Sequence, residues 1–180
     1  MRMFACVGLA ALLTLGGAMA QEAPKPPSPQ KEHDWLKQLE GEWETECELL
    51  LEPGKPAHKN KGTETVRNLG GFWYVSEIKS ECFGMPFTGL MTVGYDTQSK
   101  KYVGSWVCSM CDHQCTYKGT AEGNVITLET EAPNPLTGKL VKMKDVTEIK
   151  SKDLKVLTSS MLGEDGKWVT FMTMTSKRKK

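Results

Sequence analysis

Between residues 41 and 50 the chain reads GEWETECELL, and this alternation constrains the fold more than any other stretch. Glu42, Glu44, Glu46 and Glu48 share one parity, while Trp43, Thr45, Cys47 and Leu49 share the other. A helix would spread both sets around its circumference; a strand separates them onto opposite faces. Four glutamates make one of those faces solvent, so the other must meet a core.

The same period of two recurs to the end of the chain. A strand is expected near 61–69, and Gly70-Gly71 leads into 72–82, where Phe72, Tyr74, Ser76 and Ile78 share a face. Gly84-Met85-Pro86 turns into 87–95, with Phe87, Gly89, Met91, Val93 and Tyr95 on one side. Beyond the loop at 96–100, Tyr102, Gly104, Trp106 and Cys108 align. Further strands are predicted near 114–121, 124–131, 139–149, 154–162 and 167–176, each bounded by turn residues such as Gly123-Asn124 and Gly163-Glu164-Asp165-Gly166. Helical spacing occurs once, at 31–39, where Trp35, Leu36 and Leu39 form a stripe and Gly41 ends it. About ten strands with short connections and no crossover helix predict an all-β fold. An antiparallel up-and-down β-barrel of about ten strands with one short N-terminal helix hides its edges best, and a β-sandwich is the competing arrangement.

Residues 1–20 do not belong to this pattern. They carry Arg2, an apolar run from Phe4 to Leu15 and a terminal Ala18-Met19-Ala20, the signature of a cleaved signal peptide. Residues 21–30, with four prolines, read as an extended linker, and 31–180 as a single barrel domain. A periplasmic or secreted location follows from that reading. Without Arg2 the 23 Lys+Arg fall to 22 against 22 Asp+Glu, and zero net charge argues against a general nucleic-acid binder. No later apolar run reaches the length of a membrane span. The Lys177-Arg178-Lys179-Lys180 terminus reads as a solvated tail.

Five motifs stand in order along the chain: Glu32-His33 with Leu36, Leu39 and Gly41-Glu42-Trp43; Asn68-Leu69-Gly70-Gly71-Phe72; Gly84-Met85-Pro86-Phe87 with Gly89; Gly94-Tyr95-Asp96; and Lys101-Tyr102-Val103-Gly104 with Trp106. Together they resemble the domain-of-unknown-function 1579 family. The resemblance implies a small secreted or periplasmic bacterial barrel, calycin-like or lipocalin-like, whose G-x-W opens the first strand with its Trp plugging one end. It implies no activity. After the motif tryptophan the family pattern has an Asp-Ser type sequence, whereas this chain reads Val107-Cys108-Ser109-Met110-Cys111-Asp112-His113-Gln114-Cys115. The cysteine chemistry is therefore local to this chain.

Three readings of that segment stand side by side. Cys108 and Cys115 could face each other across a hairpin and close it as a disulfide, which an oxidising compartment favours. Cys108, Cys111, His113 and Cys115, with Met110 beside them, could bind a soft metal, copper(I) or zinc, although four ligands within eight residues are cramped. Cys108 and Cys111 could form a redox dithiol, but a strand hairpin lacks the helix N-terminus that activates such pairs. Cys47 and Cys82 carry inward parity and read as core thiols or a cross-barrel pair. No catalytic constellation is recognisable; His33 reads as a cap or packing residue, and no inward strand position offers a haem-ligating histidine.

Trp43, Phe72, Tyr74, Phe87, Met91, Tyr95, Tyr102, Trp106, Trp168 and Met172 all fall on inward parity. They either line a cavity or simply fill the core. Ten strands enclose more room than eight, so the expected function is binding of a small apolar molecule in the interior. The alternative is a metal or thiol protein centred on the cysteine hairpin.

Overall fold

In a computed structural model, residues 26–50, 55–134 and 137–180 are described. The signal segment, the first half of the proline-rich linker and the Pro53-Gly54 turn lie outside them. A short helix, α1 (Lys31–Leu36), continues as a 3-10 turn over Lys37–Leu39. Ten strands follow: β1 (Gly41–Leu49), β2 (His58–Leu69), β3 (Trp73–Cys82), β4 (Met85–Asp96), β5 (Lys101–Cys108), β6 (Cys115–Glu122), β7 (Val125–Pro133), β8 (Leu140–Ser151), β9 (Leu154–Leu162) and β10 (Trp168–Arg178). Each pairs antiparallel with its sequence neighbours, and β1 pairs with β10, so the sheet is a closed up-and-down barrel. Closure leaves no strand edge unpaired.

β1 behaves as its alternation requires. Trp43, Thr45 and Cys47 are buried while Glu42, Glu44, Glu46 and Glu48 are exposed. The β3–β4 connection is tighter than the glycine and proline pattern suggested: β4 begins at Met85, leaving Phe83 and Gly84 as the two turn residues, with φ of 53° and 77°. Two consecutive positive φ angles match the twist of a hairpin, and this turn admits a phenylalanine where glycine or asparagine is usual. In β10 the register shifts between Thr170 and Met172. That bulge separates the facing of Trp168 from that of Met172.

The barrel has two unlike ends. At the end where β1 starts and β10 finishes, α1 lies across the opening. Leu36 and His33 are buried there, with Trp43, Val66, Tyr74, Val93, Tyr102, Ile126 and Leu128 beneath them. The cap is pinned by polar contacts at its rim: Tyr102 Oη donates to the Glu32 carbonyl at 2.8 Å, and Trp35 Nε1 to that of Gly123 at 2.8 Å. Trp43 Nε1 donates to the Leu39 carbonyl at 2.9 Å. His33 Nδ1 accepts from the Gln30 N–H at 2.9 Å, so this histidine caps its helix and packs edge-on against Phe72 and Tyr95.

The closing seam depends on Arg178, which is not part of a solvated tail. Its guanidinium lies 4.1 Å from the Trp43 ring centre and donates to the carbonyls of Glu40 (2.6 Å), Lys152 (2.8 Å) and Gln38 (3.3 Å). Gly41, at φ 128°, leaves the space that the guanidinium fills; a Cβ there would collide with it. The glycine of G-x-W thus admits the arginine that stacks on its tryptophan.

Trp43→Ala should lower stability in urea unfolding by about 3–5 kcal/mol, the usual cost of emptying a buried aromatic site. Gly41→Ala should cost about 1–3 kcal/mol through the strained backbone alone, and more if Arg178 is displaced.

Candidate functional site

The helix-capped end is filled, and the opposite end is where inward side chains remain reachable. Of the aromatics expected to line a cavity, Trp43, Tyr74 and Tyr102 are buried in the capped half, and Phe72 and Tyr95 pack there against His33. Burial pushes the Tyr102 hydroxyl up to about 12, as expected of a phenol sealed under the cap. These five residues form the plug because α1, whose position a strand pattern cannot reveal, covers them.

Phe87 and Met91 of β4, Trp106 of β5 and Met172 of β10 belong to the other half. All four point inward, yet each is only partly buried. Met91 stands opposite Trp106 in the β4–β5 register, and the rings of Phe87 and Trp106 lie 6.3 Å apart. The Trp106 ring covers Gly89, where any Cβ would sit inside it. Met143, Leu157 and Met161 continue this wall on β8 and β9, also partly buried. These inward side chains, none fully buried, bound a half of the interior that is less completely covered than the capped half, the hollow.

Trp168 does not face that hollow. It pairs with Leu162, on the outer face of β9, and Lys144 Nζ lies 4.3 Å from its ring centre. The β10 bulge is the reason, since one extra residue reverses the parity that would have put Trp168 and Met172 on one side. Trp168 instead borders an open groove of about 700 Å³ on the outside of the barrel, shared with Lys101, Lys118, Glu129 and Lys142.

Two polar groups inside the barrel were not singled out by the sequence analysis. Glu64 of β2 and Lys155 of β9 form a buried ion pair, Nζ to Oε2 2.9 Å, with side chains 7% and 6% exposed. Ser76 Oγ donates to Glu64 Oε1 at 2.8 Å, and Lys155 Nζ also lies 4.6 Å from the Trp43 ring centre. Farther round the wall, Ser159 Oγ donates to Asp145 Oδ1 at 2.5 Å, and Tyr117 is hydrogen-bonded to the same carboxyl. Their signal was present in the alternation: Asp145 shares parity with Met143 and Ile149, and Lys155 with Leu157. A charged residue at a core position of a strand marks an interior polar site.

The cysteines gather at the open end. β1, β3 and β5 run toward it, and β6 starts from it, so Cys47, Cys82, Cys108, Cys111 and Cys115 share that end of the barrel. All five are free thiols. The facing pair that a hairpin disulfide needs is absent: Cys115 stands opposite Trp106, and the β5–β6 ladder ends there, short of Cys108. Cys108 instead begins a turn in which the Cys111 N–H donates to its carbonyl at 3.3 Å. His113 points to Asp112, Nδ1 to Oδ1 3.6 Å, rather than to the thiols. Among the described residues no three His, Cys, Asp or Glu side chains are grouped so as to hold a metal ion.

Burial raises four of these thiols. Cys47 is pushed up to about 11, with Cys82 and Glu48 adding to the effect. Cys111 is pushed up to about 11 as well, by burial of its sulfur and by its hydrogen bond to Cys108. Cys82 and Cys115 are raised by burial, with Cys108 near both and Asp145 near Cys115. Such thiols are poor nucleophiles at neutral pH.

Comparison with known proteins adds the following. A family model described as "Protein of unknown function (DUF1579)" matches residues 28–178. Rv2717c from M. tuberculosis, known from its crystal structure, superposes with a TM-score of 0.60 at 13% identity, over 85% of this chain and 100% of that one. A redesigned β-barrel is similar over 85% of this chain and 100% of its own, at 11% identity and a TM-score of 0.47. At 13% identity the likeness to Rv2717c is one of fold. No curated protein matches the chain.

The raised thiols give a direct test. Alkylation of Cys111 by iodoacetamide, followed by peptide mass spectrometry, should be slow at pH 7 and climb about tenfold per pH unit until near 11. An ordinary thiol would level off near its usual value of about 8.5.

Proposed function

The chain belongs to the DUF1579 family, whose function is unknown, and from that premise we propose that it is an exported barrel binding a small, largely apolar molecule in its open half. The observation that carries this reading is the half-buried state of the inward-facing Phe87, Met91, Trp106 and Met172. A barrel serving only as a scaffold gains most by burying these side chains completely, at roughly 1.5–3 kcal/mol for each one fully buried. Leaving them in reach of solvent suits a pocket that a ligand completes. Methionine-rich walls adapt to ligands of differing shape. Export is supported by the apolar run and Ala18-Met19-Ala20 in residues 1–20, and an exported barrel would meet its ligand outside the cytoplasm.

A second reading, thiol or soft-metal chemistry at the rim, is favoured by one observation, the convergence of five cysteines on the open end. Their raised pKa values weigh against it, because both metal ligation and disulfide exchange proceed through the thiolate. Native mass spectrometry of protein isolated without chelators separates the two: added mass of an organic molecule supports the first reading, and copper or zinc the second.

An environment-sensitive apolar dye should bind wild-type protein and quench or shift Trp106 emission. Met91→Trp and Met172→Trp, which fill the hollow from opposite walls, should each weaken dye binding tenfold or more while thermal unfolding stays cooperative. Unchanged dye affinity in both folded variants would place the dye outside the barrel.

A further inference from the structure

Asp145 of β8, Ser159 of β9 and Tyr117 of β6 meet on the wall of the hollow. Register places Gly119, Leu128, Asp145, Ser159 and Met172 in one line across β6 to β10, with Tyr117 the next inward residue of β6 toward the open end. Asp145 faces inward in the register of β8, yet the residue is only partly buried. That combination belongs to a group lining an internal space rather than one packed in the core or set on the outer surface.

The chemistry of the trio is specific. Ser159 commits its proton to Asp145 Oδ1 at 2.5 Å, and Tyr117 is bonded to the same carboxyl. Burial raises the Asp145 pKa against the lowering effect of those two bonds, and it raises Tyr117 far above the ordinary phenol range. Among the described residues no cation is paired with the carboxyl, and Lys155, the inward lysine of β9, is held by Glu64. A neutral carboxyl here keeps one O–H free to donate, and methionine, leucine and tryptophan side chains stand on the same wall.

We propose that Asp145, Ser159 and Tyr117 are the polar anchor of the barrel's binding site, and that the anchor takes an uncharged ligand head bearing a hydrogen-bond-accepting oxygen. Ketones, esters and alcohols with an apolar body are of this class; carboxylates and phosphates are not. This rests on the reading that the hollow binds ligands. An anionic head would have to be buried beside a neutral carboxyl, with little water and, among the described residues, no unpaired cation facing it. A neutral carbonyl accepts the Asp145 proton and leaves the Ser159 and Tyr117 bonds in place.

The groups facing Asp145 limit what else can titrate. From β6 these are Tyr117 and Cys115, both raised; β7 presents Leu128 and Thr130, and β9 presents Ser159. Loss of binding with rising pH that Asp145→Asn abolishes therefore reports Asp145 itself. Ionisation removes the donated proton, so affinity for a neutral acceptor falls as pH rises through the raised pKa.

The test uses decan-2-one and decanoate, equal in chain length, displacing an apolar dye from the purified protein. The ketone should bind at least tenfold tighter than decanoate, and its affinity should fall with rising pH. Asp145→Asn, which keeps a donor and cannot titrate, should bind the ketone with a flat pH profile. Asp145→Leu should lose tenfold or more in ketone affinity while still binding the dye; Ser159→Ala with Tyr117→Phe provides an independent pair of variants. Dye binding without a ketone preference, or ketone affinity unchanged in Asp145→Leu, overturns the anchor and leaves the hollow as a binding site. Failure of the wild type to bind either dye or ketone overturns both.

Discussion

Trp43 is held between two cations, with the Arg178 guanidinium 4.1 Å and the Lys155 ammonium 4.6 Å from its ring centre. The three residues come from the first strand and the last two, so this stack is also the seam at which the barrel closes. Arg178 carries the closure outward by binding the carbonyls of Gln38 and Glu40, which tie the capping helix to the seam. Lys155 carries it inward through Glu64, linking β9 to β2 beneath the tryptophan. Closure at this seam leaves neither β1 nor β10 as an exposed edge. The contacts joining chain positions 41–49 and 168–178 are the most distant in sequence, so their loop-closure cost must be recovered by this dense group of interactions.

The division of labour between the ends follows from that arrangement. One end is filled by α1, His33 and the aromatics below them, where burial supplies stability. The other carries the loops, the cysteines and the partly buried methionine wall, where side chains forgo full burial. Polar groups sit where each half needs them. Glu64 and Lys155 neutralise one another close to the plug, whereas Asp145 is answered only by hydroxyls. A buried pair such as Glu64 and Lys155 cancels its own charge, whereas a buried carboxyl without a cation is pushed toward its neutral form.

Much of the fold was legible in residues. The glutamate alternation of 42–48 identified β1 and its buried face, and recurrent turn residues placed ten strands to within a few positions. The Phe83-Gly84 turn escaped because phenylalanine rarely takes a positive φ, so the glycine and proline after it drew attention to the wrong pair. Trp168 was misplaced because a bulge of one residue is silent in sequence but reverses parity. Arg178 looked like part of a basic tail because its partners, a ring at position 43 and carbonyls at 38 and 40, are far away in the chain.

The sequence by itself determined the strands, their order and which face of each was apolar, because period-two patterning is a local property and short loops force antiparallel neighbours. It also determined the cysteine count and the likeness of the ordered motifs to one family. Only the tertiary structure decided how the inward set was divided. Trp43 and Tyr102 became a plug, Trp106 and Met172 a wall, and Asp145 joined Ser159 and Tyr117. The physical reason is that parity says which side of the sheet a residue occupies but not its height in the barrel or what stands across from it. Height is set by register and by the end that the helix covers, and both arise from contacts between positions remote in the chain.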